Sequence, residues 1–143
     1  MSNDGSRPSV LVVDDQNSIR EMVVRMLARH GIVALQAGSA EDALCLINRH
    51  KDTINLAIID MVMPGVTGLD LAAELSREQS YLRILYISGY VGSLAVDVIA
   101  RRSPQVVLLK PFTERELVDR VNLLLAEASP NHSAGASSDD GAS

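Results

Sequence analysis

Short apolar runs alternate with longer amphipathic segments between residues 9 and 128. The runs consist of β-branched and aliphatic residues and are mostly continuous rather than alternating: Val10–Val13, Val33–Leu35, Leu56–Ile59, Ile84–Ile87 and Val106–Leu109. Continuous apolar runs are typical of strands that are buried on both faces, as in a parallel sheet covered by helices. We therefore predict five strands of one buried sheet.

The segments between these runs have the length and pattern of helices. In the first segment, apolar residues recur at i, i+3, i+4, i+7 and i+8, at Ile19, Met22, Val23, Met26 and Leu27. This spacing predicts one apolar helix stripe, and Gly31 supplies a C-terminal stop. Segment 68–78 also carries recurring leucines, whereas segment 91–102 is less regular.

Two of the predicted helices begin with capping pairs. Ser39 with Asp42 and Thr113 with Glu116 have the spacing at which the first residue caps a helix N-terminus. Five strands and five helices then alternate strictly, which predicts an α/β fold with a doubly wound, five-stranded parallel sheet. In such folds the ligand site lies beyond the carboxyl ends of the strands.

Polar residues stand at the ends of four of the five predicted strands. They are Asp14, Asp15, Asp60, Ser88 and Lys110. Taken singly, each has a structural explanation: aspartates cap helices, a serine at a strand end is often a turn residue, and the lysine could form an ordinary ion pair. Because parallel strands end at one edge of the sheet, we expect all five side chains to converge there.

This set of groups predicts a metal site with phosphoryl-transfer chemistry. Three carboxylates brought together repel one another, and a hard divalent cation relieves that conflict. Mg²⁺ prefers oxygen ligands and is often held by one or two carboxylates together with a phosphate. A carboxylate nucleophile would give an acyl phosphate, while the lysine and the hydroxyl would bind phosphoryl oxygens.

Composition indicates the size and the bounds of the folded unit. The chain has 143 residues, of which 47% are hydrophobic and 3% aromatic, so we expect one domain with an aliphatic core. Residues 1–8 and the Ser/Ala/Gly-rich residues 129–143 are predicted to be disordered, which leaves a folded unit at 9–128. We expect no further domain after it.

Charge and cysteine content narrow the expected partners. The net charge is −5 and no Lys/Arg block is present, which argues against a nucleic-acid surface. No apolar stretch has the length of a signal peptide or a membrane span, so we expect a cytoplasmic protein without a membrane partner. The single Cys45 cannot form an internal disulfide, and we interpret it as a small buried residue.

Four sequence blocks carry a resemblance to a known family. They are VLVVDDQ, IIDMVMPGVTG, YISGY and LLKPF, each at the end of a predicted strand. In this order and spacing they resemble the signature blocks of response-regulator receiver domains of two-component signalling. The resemblance covers essentially the whole predicted folded unit and implies the flavodoxin-like receiver fold.

The resemblance implies a role for each residue at the strand ends. Asp60 would be the phosphoacceptor and a metal ligand. Asp14 and Asp15 would bind Mg²⁺ (or Mn²⁺), Asp15 directly and Asp14 through water, and the backbone carbonyl of Val62 would complete the protein's share of the coordination. Ser88 would be the switch hydroxyl. Lys110 would pair with the phosphoryl group, and its peptide bond to Pro111 would be cis.

The chain departs from the family pattern on the last strand. Many receivers carry Tyr or Phe three residues before the lysine, where this sequence has Val107. Since valine cannot make the inward rotation of an aromatic ring, we hypothesise that Tyr90 replaces it as the residue that moves on phosphorylation. Val62 and Tyr90 would also flank the route of water to an aspartyl phosphate.

The resemblance implies a signalling switch rather than an enzyme acting on a metabolite. A histidine kinase or a phosphotransfer protein would donate the phosphoryl group, and an unknown protein effector would read the result; the receiver would be a monomer or a weak homodimer. The alternative is a relay or sink receiver derived from a hybrid kinase. More distant alternatives are an aspartyl-phosphate phosphatase, a flavodoxin-like binding module and a receiver that has lost phosphorylation. The phosphatase usually has a second Asp where this chain has Val62.

Overall fold

The computed structural model describes residues 9–51, 53–89 and 94–128. The strands are β1 (Val10–Val13), β2 (Ala34–Ala37), β3 (Leu56–Asp60), β4 (Val62–Met63), β5 (Val66–Thr67), β6 (Arg83–Ser88) and β7 (Val107–Leu109). The helices are α1 (Asn17–Ala28), α2 (Ala40–Arg49), α3 (Gly68–Glu78), α4 (Leu94–Arg102) and α5 (Glu114–Ala128), and a 3₁₀ turn covers Pro104–Val106. The two predicted disordered ends, 1–8 and 129–143, and Tyr90 lie outside the described residues.

Five of the strands form one parallel sheet in the order β2-β1-β3-β6-β7. This confirms the predicted doubly wound α/β fold with five helices. The strand order reverses direction between β1 and β3, which is the point where such sheets bind ligands. In addition, β4 and β5 form a short antiparallel ribbon directly after β3, which the apolar pattern did not predict.

Both faces of the sheet are buried. Along β1, Val10 and Val12 belong to the apolar cluster that includes α1 and α5 residues, whereas Leu11 and Val13 belong to the cluster that includes α2 and α3 residues. Successive side chains of a strand point to opposite faces, so a strand with a cover on each side needs apolar residues throughout. This explains the continuous apolar runs.

The capping contacts predicted for α2 and α5 and the stop predicted after α1 are present. Ser39 Oγ accepts a hydrogen bond from the Asp42 amide at 3.1 Å. Thr113 and Glu116 form a reciprocal capping box, with the Glu116 amide donating to Thr113 Oγ1 at 3.0 Å and the Thr113 amide to Glu116 Oε1 at 2.8 Å. Gly31 has a φ of 77°, the left-handed conformation that ends α1.

Three predictions require correction. The second strand begins at Ala34 rather than Val33, and Val106 lies in the 3₁₀ turn rather than in β7. Cys45 is exposed rather than buried. On α2 the buried positions are Ala43 and Ile47. A residue two positions from each of them lies about 200° around the helix, on the solvent side.

No helix among the described residues combines the length and the apolar character that crossing a membrane requires.

Candidate functional site

The carboxyl ends of the strands bring three carboxylates together. One oxygen from each of Asp14, Asp15 and Asp60 lies within 4.8 Å of the others. Asp14 and Asp60 are buried, whereas Asp15 is exposed. The cluster is therefore rooted in the sheet and open to solvent on one side.

Hydrogen bonds between neighbouring strands fix the backbone of this edge. The Asp14 amide donates to the Ala37 carbonyl at 3.1 Å, and the Met61 amide, next to Asp60, donates to the Ile87 carbonyl at 3.0 Å. The Lys110 amide donates to the Ser88 carbonyl at 2.9 Å. These hydrogen bonds hold the polar residues that follow four neighbouring strands at the same edge of the sheet, as the sequence predicted.

Lys110 places a cation beside Asp60. Its Nζ lies 3.8 Å from Asp60 Oδ2, and its side chain is 29% exposed. The other oxygen, Asp60 Oδ1, accepts a hydrogen bond from the Val62 amide at 3.1 Å. The two oxygens of Asp60 therefore have different surroundings: Oδ1 is held by the chain that follows it, and Oδ2 lies nearer the ammonium group.

Burial raises the pKa of Asp14 above its ordinary value. The hydrogen bond from the Gln16 amide to Asp14 Oδ1, at 2.9 Å, acts in the opposite direction. The neighbouring negative charge of Asp60 raises the pKa further, and the charge of Lys110 lowers it. The charges of Asp60 and Asp15 thus disfavour the ionised form of Asp14, and a divalent cation would relieve this repulsion.

The structure also locates the other residues that the sequence singled out. Ser88 is buried at the end of β6, and Val107 is buried on β7 beside Met61. Val62 lies at the start of the ribbon with a side chain that is 71% exposed. The Lys110–Pro111 peptide bond is cis. The proposed role of Tyr90 falls outside the described residues.

Gly68 and Arg20 support the site through contacts that the sequence did not predict. A Cβ atom at Gly68 would lie 2.8 Å from the Asp60 carbonyl oxygen. Arg20 Nη1 donates to the Asp14 carbonyl at 2.8 Å. Gly68 belonged to one of the quoted blocks, but its close approach to Asp60 follows from how α3 packs on β3. Arg20 occupies an ordinary polar position of α1, and no sequence signal distinguished it.

Comparison with known proteins places this chain in a family. The family model described as response regulator receiver domain matches residues 10–122. Nodulation protein W of Bradyrhizobium diazoefficiens is 32% identical over 113 residues, which are 78% of this chain and 48% of that protein. The sensor kinase CckA of Brucella abortus is 30% identical over 121 residues, 82% of this chain and 12% of the kinase. The chain thus spans about half the length, or less, of these curated relatives.

A solved structure shows the same fold. The crystal structure of a response regulator receiver domain protein from Clostridium thermocellum superposes with a TM-score of 0.73 at 25% sequence identity. The match covers 82% of this chain and 94% of that one. The two proteins therefore share one fold over most of the length of this chain.

Proposed function

Because the chain belongs to the family of response regulator receiver domains, we propose that it accepts a phosphoryl group on Asp60 in a Mg²⁺-dependent reaction. The observation that carries the proposal is the acidic cluster, whose three carboxylates lie within 4.8 Å of one another. Lys110 lies 3.8 Å from Asp60 and supplies the cation expected beside a phosphoryl group.

The charges of the cluster explain why a metal ion is needed. The three carboxylates outnumber Lys110 and Arg20, the cations that lie beside them in the described part of the chain, so the edge of the sheet is negatively charged and would repel a phosphoryl donor. The donors are all hard oxygens on one small area, which suits Mg²⁺ or Mn²⁺. Asp14, Asp15, Asp60 and the carbonyl of Val62 would hold the ion. When bound, it would neutralise the carboxylates and the phosphoryl oxygens.

Asp60 is the proposed nucleophile. One of its carboxylate oxygens forms a bond to phosphorus as the bond from phosphorus to the donor atom breaks, which gives an acyl phosphate and the free donor. Burial and the Val62 amide hold the carboxylate in one orientation for in-line attack. Lys110 would bind a phosphoryl oxygen, and the hydroxyl of Ser88 would donate a hydrogen bond to another.

We propose that the modified site changes the surface read by a protein partner. Ser88 and Lys110 are joined by a main-chain hydrogen bond at 2.9 Å, so a shift of either is transmitted to β7, where Val107 lies. Because valine has no ring that could rotate, we infer that a movement of Tyr90 or of the main chain of β7 carries the signal. The cis peptide bond between Lys110 and Pro111 follows β7 directly. The donor would be a histidine kinase or a phosphotransfer protein, and the effector is a protein of unknown identity.

A relay role is the second candidate. It is supported by the match to 12% of the length of the Brucella sensor kinase, because a receiver within a kinase can pass its phosphoryl group onward. In either role the domain catalyses only its own phosphorylation and dephosphorylation. We propose that the folded unit is residues 9–128, that it is cytoplasmic and that it is a monomer or a weak homodimer without a nucleic-acid partner.

Intact-mass measurement tests the proposal. The parent protein is incubated with acetyl phosphate with and without Mg²⁺, and with a phosphorylated histidine kinase as a second donor. We expect a gain of one phosphoryl group that requires Mg²⁺ and is absent in Asp60→Asn. Asp119→Asn makes the same change at an exposed position of α5 and serves as the control. A parent protein that gains no mass from either donor contradicts the proposal.

A further inference from the structure

Arg20 joins three elements beside the acidic cluster. The residue lies in the first turn of α1. Its Nη1 donates to the Asp14 carbonyl at 2.8 Å, its Nε to Gln36 Oε1 at 2.9 Å and its Nη2 to Asn17 Oδ1 at 2.7 Å. One guanidinium group therefore ties the loop after β1 to β2 and to the start of α1.

The carbonyl that Arg20 binds controls the direction of the chain at Asp15. The Asp14 carbonyl and the Asp15 amide belong to one rigid peptide plane. A hydrogen bond that orients this carbonyl therefore also orients the backbone from which the Asp15 side chain projects. Since Asp15 is the exposed member of the cluster, it is the carboxylate whose position depends most on how the loop is held.

The chemistry of the contact requires arginine. A guanidinium group presents five N–H donors in a fixed plane and can serve three acceptors in different directions, which a single ammonium group on a flexible stem cannot hold together. The neighbouring Gly38 leaves room for it: a Cβ atom at residue 38 would lie 3.3 Å from Arg20 Nη1.

We propose that Arg20 is a positioning residue that fixes the peptide between Asp14 and Asp15 and thereby sets the affinity of the acidic cluster for a divalent cation. The inference rests on the proposed function, because it assigns the cluster to metal binding. Arg20 acts through the backbone of the ligands and touches neither the cation nor the phosphoryl group. Groups that orient metal ligands commonly contribute about 10- to 100-fold in affinity.

The direction of the effect separates positioning from simple electrostatics. Removing a positive charge near a cation site strengthens cation binding if charge alone matters. A positioning role predicts the opposite. We expect Arg20→Gln to weaken Mg²⁺ binding by about tenfold, measured by calorimetric titration of the unphosphorylated protein. Arg20→Lys keeps the charge but can donate from only one nitrogen, so its affinity should lie between those of the parent and Arg20→Gln.

Arg25→Gln is the matched control, because Arg25 is exposed on the same helix and the change in charge is identical. A second readout needs no metal: amide hydrogen exchange at Asp15 and Gln16 should be faster in Arg20→Gln than in Arg25→Gln. Thermal melting of each variant establishes that the compared proteins are folded, and Arg20→Lys provides the comparison if Arg20→Gln does not fold.

The outcomes distinguish this inference from the proposed function. If the parent binds Mg²⁺ and is phosphorylated, but both Arg20 variants bind Mg²⁺ as tightly as Arg25→Gln, the positioning role is overturned and the proposed function stands. Unchanged hydrogen exchange at Asp15 and Gln16 overturns it as well. If the parent binds no Mg²⁺ and gains no phosphoryl group, the proposed function itself fails, and the inference fails with it.

Discussion

Adding a single methyl group at Gly68 should disturb both the packing of α3 and the position of Asp60. It is the first residue of α3, and a Cβ atom there would lie 2.8 Å from the Asp60 carbonyl oxygen and 2.9 Å from Met61 Cα. Nonbonded atoms of this kind prefer separations of about 3.5 Å or more. The obstructing atoms are backbone, and the Gly68 amide is itself bound to the Met61 carbonyl at 3.0 Å. Neither side can therefore move away without disturbing the other.

The cost of Gly68→Ala follows from this overlap. Forcing an extra methyl group into a packed region typically costs about 1–3 kcal/mol. The opposing gain in helix propensity is at most about 1 kcal/mol and is smaller at the first residue of a helix. We therefore expect the free energy of unfolding to fall by about 2 kcal/mol, which corresponds to a drop of about 8 °C in melting temperature for a domain of this size.

Thermal melting and phosphoryl labelling test this reasoning together. Gly89→Ala is the matched control, because a Cβ atom at residue 89 would lie 3.5 Å from Lys110 Cδ, an ordinary contact. Gly68→Ala should melt well below this control. It should also label Asp60 more slowly than the parent protein, since relief of the overlap displaces the Asp60 backbone. If the two alanine variants melt within about 1 °C of each other, the argument from the overlap is wrong.

Three further predictions concern charges. Hydrogen bonds from Arg29 and His30 lower the pKa of Glu114 to about 2, so Glu114→Gln should lower the melting temperature at pH 7. The difference in melting temperature between the parent and this variant should shrink as the pH falls from about 4.5 to about 2. Thermal melting over this pH range measures it. Burial raises the pKa of Asp14, so its ionised form costs stability at neutral pH. Asp14→Asn should therefore raise the melting temperature of the metal-free protein at pH 7, and the gain should disappear below the pKa of an unfolded aspartate. Arg120 Nη1 donates to the Val107 carbonyl at 2.7 Å on the edge strand, so Arg120→Gln should lower the free energy of unfolding by about 2 kcal/mol in urea titrations.

The apolar pattern was sufficient to predict the main sheet because the core is built on both of its faces. A strand covered on each side admits few polar residues, so the runs at β1 and β3 stood out within the chain. The polar residue that ends such a run is then conspicuous, which is why Asp60 and Lys110 could be located from sequence. The separation of 3.8 Å between Lys110 Nζ and Asp60 Oδ2 agrees with that convergence.

The same reasoning could not predict the ribbon or the exposure of Cys45. The strands β4 and β5 have two residues each, too few for any periodicity to show. Cys45 was assigned to the core from its residue type, whereas the helical phase of Ala43 and Ile47 places it outside. Residue type is a weak guide on an amphipathic helix, since position around the axis decides burial.

The residues that support the carboxylates form a layer that sequence patterns do not reveal. Arg20 reaches the Asp14 carbonyl from a position that looks like any solvent-facing site of α1, and Gly68 is constrained only because α3 starts against the end of β3. In both cases the partner is a backbone atom, and backbone atoms are the same at every residue. The chemical groups of the site can thus be found from residue types at strand ends. The geometry of these groups depends on contacts with backbone atoms, which the sequence does not reveal: the guanidinium group of Arg20 on the Asp14 carbonyl, and the absence of a Cβ atom at Gly68. Substitutions at these two positions therefore test the geometry of the site, whereas substitutions of the carboxylates test only its chemical groups.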